Sequence, residues 1–527
     1  MIECDVLVIG GGGAGARGAL EAKKRGAEVC LVTKGKFGET GSTNFIASET
    51  LGINAAFGYS DERDNPEVHL KDTIETGLGV CNEKMAKILA YEACDRIKEL
   101  MEIGMEFDKN DKIKQKKLSG CTYPRSLSFK GATGRKIVHT LKNEIIKEGI
   151  EIFEDTRILD MILDGKRVAG ALGYSKDFLI FKTKSLILAC GGAGGIFSKN
   201  INPKDVTGDG YALGYKAGAS LVNMEFIQVG PGLVFPKIKF IIHSYMWRFK
   251  PKLYNSLGEE FLGRYCDNPE KVLELKAMSF PFSVRTEAKY LDIAVFKEII
   301  EGRGTENGGV YLDVSHVPKE DLEEKAPVTY NTILDDGADI ANERVEIAPL
   351  VQTFNGGVSI NERTETDIEG LFAAGETAGG VHGADRPGGN SLIDCQVFGR
   401  RAGLFAYEYS KNKKFGEIKN IDEKISRYSK EGEYFNIEKI KELFWRNLTI
   451  IRNEEGLKEV LRRINSLKNE NIGFGDPNKN SDFENMLIAG EIIAKAALAR
   501  KESRGTHYRE DYPHTDEKFR KRIFIRK

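Results

Sequence analysis

The chain has 527 residues, more than one hydrophobic core usually serves, so roughly two to four domains are expected. Apolar residues make up 41% and charged residues 30%, and Lys plus Arg (78) nearly balance Asp plus Glu (79), so the net charge of −1 argues against a protein built to grip nucleic acid. There is no bilayer-length apolar run and no basic leader before Met1-Ile-Glu-Cys-Asp5, which sets the expectation of a cytoplasmic protein not integral to a membrane.

In chain order, Val6-Leu-Val-Ile9 is a buried parallel strand by pattern, followed by Gly10-Gly-Gly-Gly-Ala-Gly15 and a helical stretch over 16–25. Gly26 ends that helix, and 28–33 supplies a second strand. This is a βαβ unit with Gly10, Gly12 and Gly15 in a Gly-x-Gly-x-x-Gly turn. Such a turn lets the backbone approach a pyrophosphate at a helix N-terminus. The ribose-binding acid usually found after the second strand is replaced by Thr33-Lys34. A hydroxyl can still bond ribose, but the change weakens any case for NAD.

Residues 66–107 read as helical and 108–130 as an irregular basic loop, with a further helix over 135–147. Strands follow at 150–153, 157–163 and 168–174, the last two joined by the hairpin signal Asp164-Gly165. Another strand, 185–189, runs into Cys190-Gly-Gly-Ala-Gly-Gly195, and Thr207-Gly-Asp-Gly210 opens a helix to 218. The glycine clusters stop at Glu225 and resume at Asn355, so about 226–345 is a candidate inserted domain. Beyond Arg401 the chain is rich in Lys and Glu with helical periodicity. The eight cysteines (4, 30, 81, 94, 121, 190, 266 and 395) form no CxxC pair, so neither a cluster nor a structural metal is expected on this chain.

Five motifs stand in a telling order: 10–15, Ala189-Cys-Gly-Gly192, Thr207-Gly-Asp-Gly210, Phe372-Ala-Ala-Gly-Glu376 and His382-Gly-Ala-Asp-Arg-Pro-Gly-Gly-Asn-Ser-Leu392. With the tail Ala499-Arg-Lys-Glu-Ser-Arg-Gly-Thr-His-Tyr-Arg509, they make the chain resemble the flavoprotein subunits of fumarate reductase and succinate dehydrogenase over nearly its whole length. Within that family the pattern looks nearest to the thiol-driven (coenzyme M/coenzyme B) fumarate reductases of methanogens. L-aspartate oxidase and adenylylsulfate reductase are relatives. The resemblance implies an α/β fold with a Rossmann-like FAD-binding domain (1–225 and 346–400), an inserted α+β capping domain (226–345) and a helical C-terminal domain (401–527).

It also implies FAD as cofactor, with Gly10, Gly12, Gly13, Ala14 and Gly15 at the pyrophosphate. Thr33, Lys34, Ser42, Thr43, Ala47, Ala189, Gly191, Asp209 and Glu376 fall at further FAD contacts. Arg386, Asn390, Ser391 and Leu392 lie on the loop that bears on the isoalloxazine ring. Thr43 stands where membrane-bound members carry a histidine joined covalently to FAD, so non-covalent FAD is expected here. Arg386 matches the arginine that clamps a substrate carboxylate. Pro281-Phe-Ser-Val-Arg285 resembles the motif of the proton-donating arginine, with Glu287 the nearest acid in sequence. The implied reaction is reduction of fumarate to succinate, a dicarboxylate pair, with electrons from an iron–sulfur subunit.

Two departures bear on the substrate. The family's carboxylate-binding histidines read Gly230 and Gln352, and the usual Thr-Glu of the cap falls near His243-Ser244. His243 and Tyr245 are candidates to replace the lost groups. The alternatives left open are an aspartate oxidase-like or sulfur-substrate relative, and an electron-transfer subunit whose own pocket has decayed.

Overall fold

The computed structural model describes residues 1–45 and 52–527. Its central sheet has seven strands. Ile2–Ile9 lies between Val29–Val32 and Phe178–Leu188, parallel to both. Glu151–Phe153 extends the sheet at one side, and Leu371–Ala373 joins Phe178–Leu188 in parallel. On the other side Arg157–Asp164 and Arg167–Tyr174 add an antiparallel hairpin. Val6, Leu7 and Val8 are fully buried, as a strand covered on both faces requires. The helices Gly13–Lys24 and Asn390–Ser410 pack tightly on one another. Gly18 and Gly403 permit this, since a Cβ on Gly403 would sit 2.2 Å from the Gly18 carbonyl oxygen. After residue 355 the chain thus comes back to the central sheet and to its first helix.

The intervening residues build a separate four-stranded antiparallel sheet in the order Ile227–Phe235, Val345–Phe354, Val310–Asp313, Lys252–Tyr254. Its longest pairing joins the first and last strands of the insertion, so the strand Val345–Phe354 carries the cap sheet past residue 345 and then delivers the chain to the cavity. The helices Lys289–Glu298 and Pro327–Asp335 accompany this sheet. Four helices, Ile421–Tyr428, Ile437–Leu448, Glu454–Asn469 and Pro477–Ala499, follow. The last packs on Asp209–Ala217, and the chain ends as a short strand, Phe524–Ile525, paired with Leu221–Val222. Among the described residues no helix is long and apolar enough to cross a membrane, and all eight cysteines are free thiols.

Candidate active site

A deep cavity opens between the central sheet and the cap. One end is lined by Gly10 to Ala14, Thr33, Lys34 and Asp209, the other by Gln228, His243, Phe280, Gln352 and Arg386. At the first end the close packing of the first turn requires glycine. A Cβ on Gly15 would lie 1.8 Å from the Gly10 carbonyl oxygen, and one on Gly10 2.2 Å from that of Ala189. The helix Gly13–Lys24 starts from Gly12 with no side-chain cap. Asp209–Ala217 and Asn390–Ser410 likewise start from uncapped glycines, Gly208 and Gly389. Three helix N-termini thus bring positive dipole ends toward one cavity, an arrangement suited to an anionic dinucleotide.

Lys34 does not project freely. Its Nζ lies 2.8 Å from Thr207 Oγ1 and 3.2 Å from carboxylate oxygens of both Asp209 and Asp482. Arg157 joins the same cluster, bonded to Asp209 and 2.6 Å from Asp482 Oδ1. Burial opposes ionisation of Asp209, but Arg157 and Lys34 beside it hold its carboxyl well below the usual range. Arg157 and Asp482 have no place in the sequence motifs; they come from the hairpin and the last long helix and meet only in the fold. Thr33 lines the cavity and donates to the Gly35 carbonyl at 2.7 Å. Thr43 accepts from the Gly13 amide at 3.2 Å, and Ser42 reaches Asn202 at 3.3 Å. Ala47 lies outside the described residues. Ala189 and Gly191 line the wall, and Glu376 beside them accepts from the Phe354 amide at 3.0 Å. Burial pushes the Glu376 carboxyl up.

Of the loop at 386–392, Ser391 and Leu392 line the cavity, but Asn390 turns away from it. Asn390 Oδ1 accepts from Asn54 Nδ2 and bonds His69 Nε2, each at 2.8 Å, while its amide donates to Thr73 at 3.1 Å. Behind it Arg125 pairs with Asp64 and Asp72 in full burial. Burial pushes His69 down to about 4 and Asp64 up to about 6. The Asn390 side chain therefore fixes the loop from below rather than facing a ligand.

At the far end Arg386 Nη2 donates to Gln228 Oε1 at 2.7 Å. Gln228 Nε2 donates in turn to Asp385 Oδ1 at 3.2 Å, and the Arg386 amide donates to the same oxygen at 2.8 Å. Arg285 is brought to this group but not into the cavity wall. Its Nη1 is 4.0 Å from Asp385 Oδ2, and its side chain is 39% exposed. The acid beside Arg285 is thus Asp385, not Glu287, whose carboxylate pairs with Lys271 at 2.8 Å on the surface. Gln228 was not anticipated. A fully buried glutamine inside the apolar strand Ile227–Phe235 is the signal that marks it.

The missing histidine at position 230 has a physical cause. A Cβ on Gly230 would stand 2.2 Å from the Phe280 ring, so Phe280 occupies the space a side chain would need. His243 packs beside Phe280, ring centroids 5.4 Å apart, with its Nδ1 buried and unpartnered. Burial, with the Lys276 charge nearby, pushes His243 down to about 4, so it is neutral at pH 7. Lys276 itself is tied to Asp292 at 2.7 Å, both buried. Tyr245 packs on His243 at 6.2 Å and does not reach the wall. Gln352 does reach it. Among the described lining residues the cations are Lys34, Arg157 and Arg386, and the first two are neutralised at the glycine end. Arg386 alone brings positive charge to the other end.

Comparison with known proteins gives a consistent picture. The FAD-binding domain family matches residues 5–392, and the C-terminal family of fumarate reductase flavoproteins matches 437–527. A fumarate reductase (CoM/CoB) subunit of Methanothermobacter marburgensis is 36% identical, with 100% of this chain and 97% of that one covered. The L-aspartate oxidase of Vibrio cholerae is 30% identical over 97% of this chain and 96% of its own length. Among solved structures, Sdh1 of Mycobacterium smegmatis superposes with a TM-score of 0.88 at 34% identity, covering 99% of this chain and 94% of that one.

Proposed function

The chain belongs to the fumarate reductase/succinate dehydrogenase flavoprotein family and is an FAD-dependent oxidoreductase, and from that premise we propose that it reduces fumarate to succinate as the catalytic subunit of a larger complex. The observation that carries the reading is Arg386, held by Gln228 and Asp385 at the end of the cavity opposite the glycine turn.

The residues present fit FAD. The glycine turn and the helix starts at Gly12 and Gly208 would hold its pyrophosphate, while Ser391 and Leu392 at the start of the third helix, with Glu376, would flank the remainder. Bound FAD supplies the hydride chemistry. Arg386 binds one carboxylate through its guanidinium fork, which matches a carboxylate bidentately and keeps its charge at neutral pH. Gln228 orients that fork from behind. Gln352 and neutral His243 offer hydrogen bonds, without charge, to the other end of the substrate. Phe280 excludes water beside them. Arg285, just outside the cavity wall beside Asp385, carries the proton that the second alkene carbon must receive once its half-exposed side chain turns inward. A guanidinium is a weak acid, so this role needs a desolvated site and a partner that restores the proton.

Thr43 cannot form the covalent flavin link of a histidine, so FAD is held non-covalently. Acid precipitation should release all yellow colour into the supernatant; colour left on the polypeptide would refute this. The scattered cysteines assign electron delivery to a separate iron–sulfur subunit. Clusters seen by electron paramagnetic resonance in the purified single chain would contradict that assignment. The same reading places the protein in the cytoplasm, which cell fractionation would check. The second reading, aspartate oxidation, is favoured by the 30% identity to an L-aspartate oxidase. Steady-state assays separate the two: fumarate should consume reduced viologen dye, and aspartate should not reduce the bound flavin. The reverse pattern would replace the first reading by the second.

A further inference from the structure

Arg285 needs a source of protons, and among the described residues the carboxyl beside it is that of Asp385. Asp385 is 7% exposed, in the turn just before Arg386. Its two oxygens face different ways. Oδ1 is fixed by the Gln228 amide at 3.2 Å and the Arg386 amide at 2.8 Å. Oδ2 faces Arg285 at 4.0 Å, within a small side-chain adjustment of a hydrogen bond. Glu287 is engaged with Lys271. Arg285 is half-exposed, so the pair stands between solvent and the cavity wall.

We propose that Asp385 is a proton relay acting through Arg285, taking protons from solvent at the rim and returning them to the guanidinium after each turnover. The assignment rests on the fumarate-reduction reading. In the step proposed, the alkene accepts a hydride, with its electron pair, from reduced flavin at one carbon. An Arg285 N–H bond breaks and a C–H bond forms at the other carbon. The neutral guanidine then takes the proton of the Asp385 carboxyl, and the resulting carboxylate is reprotonated from water. The sum is alkene plus hydride plus proton, with nothing left over.

The groups around Asp385 suit the task. The charged ones facing it are Arg285 from the cap and Arg386 from its own turn; the neutral ones are Gln228 from the cap strand and Ser283. The adjacent His382 is paired with Asp394 at 3.1 Å, and Arg504, beside the Gly505 backbone, is bound to Glu502. Burial raises the Asp385 carboxyl, and the Arg386 amide and the Arg285 charge oppose that rise. A relay must be protonated to work, so turnover should fall as pH rises through its titration.

The test is Asp385→Asn in the FAD-loaded enzyme. The amide oxygen can still accept from Gln228 and Arg386, but it has no proton to pass. FAD content and the extent of reduction by dithionite should match wild type. Fumarate-dependent reoxidation should slow at least about tenfold, and its decline at alkaline pH should vanish. Asp385→Glu should restore that decline and part of the rate. Reoxidation within about threefold of wild type, with the alkaline decline intact, would overturn the relay and leave fumarate reduction standing. An Asp385→Asn protein that fails to hold FAD would make the residue structural and also overturn it. If the wild type itself fails to reduce fumarate, the functional reading falls first and the relay with it.

Discussion

The two ends of the cavity are built differently. At the glycine end the cations are paired: Lys34 and Arg157 are saturated by Asp209 and Asp482, and the open donors are backbone amides. At the substrate end the backbone is closed off in a strand pair, and the open donors are side chains: Arg386, Gln352 and His243. Backbone amides of a glycine turn tolerate little variation, because a Cβ at Gly10 or Gly15 has nowhere to go. Side-chain donors can be exchanged one at a time if their neighbours move with them. Gly230 and Phe280 are such an exchange. In this reading the cofactor end keeps the glycine turns and departs from the family's pattern at Thr43, while the substrate end departs at Gly230 and Gln352.

The largest effect expected from breaking this division is at Arg386. Among the described lining residues it is the one cation at its end, and a charge-assisted bond is worth about 1.5–3 kcal/mol, with two in a bidentate pair. Arg386→Ala should weaken transition-state binding by roughly 3–5 kcal/mol, about a hundred- to several-thousand-fold in kcat/KM, with FAD retained. Arg386→Lys should recover only part, since an ammonium lacks the fork. Wild-type fumarate kinetics in Arg386→Ala would remove the dicarboxylate assignment. Next is Arg285→Gln, which keeps FAD but loses the deliverable proton; fumarate reduction should drop by about 10²–10⁴. Turnover near wild type would take Arg285 out of the mechanism.

Restoring the family histidines sharpens the contrast. Gly230→His should destabilise the fold by about 1–3 kcal/mol by driving into Phe280. The double variant Gly230→His/Phe280→Ala should recover much of that loss, as urea unfolding would read; equal loss in both would show that Phe280 is not the obstacle. Gln352→His needs no such compensation and should lower KM for fumarate several-fold if the pocket takes a dicarboxylate. A loss of activity there, with Arg386→Ala also inactive, would mean a pocket shaped for another anion.

The smallest effect is a pH dependence of stability. His69 and His243 are pushed by burial to about 4, below the ordinary 6.5. Unfolded, each binds a proton near 6.5; folded, neither does until about 4. The stability they confer is present above 6.5 and is lost as pH falls toward 4. Asp64, raised to about 6 chiefly by burial, acts in the opposite sense, its contribution being lost as pH rises through 6. His69 by itself contributes a fall of about 1.4 kcal/mol per pH unit between 6 and 4. Urea midpoints at pH 6 and pH 5 measure it, and His69→Asn should flatten the slope. The same pH dependence in His69→Asn as in the wild-type protein would contradict the buried-neutral assignment of His69.

How far the sequence carried this account follows the same division. Alternating glycine clusters and apolar β-branched runs are local signals, so the first strand, the glycine helix and the return of the chain after residue 355 were legible. The strand Phe178–Leu188 begins earlier than its apolar core because its first residues pair with Arg167–Tyr174 before it reaches Ile2–Ile9, and Lys182 and Lys184 interrupt the apolar run there. The substrate end was legible in identity and not in arrangement. Arg386 and Gln352 line the cavity, but Phe280, Gln228 and Asp385 are brought beside them only through contacts across the cap boundary. Nothing in sequence spacing could pair Arg285 with Asp385, one hundred positions away. Asn390 illustrates the reverse case: its motif is clear, yet its side chain serves the buried His69–Asn54 network rather than the cavity.

The central claim is that this pocket, with Arg386 as the cation at its substrate end, reduces an unsaturated dicarboxylate. The most direct measurement is an anaerobic single turnover. The holoprotein is reduced with dithionite to one two-electron equivalent per flavin, freed of excess reductant and mixed with fumarate. The account predicts full reoxidation of the flavin and one succinate formed per FAD, both lost in Arg386→Ala. A flavin that stays reduced in the presence of fumarate, or reoxidises without succinate, would contradict it.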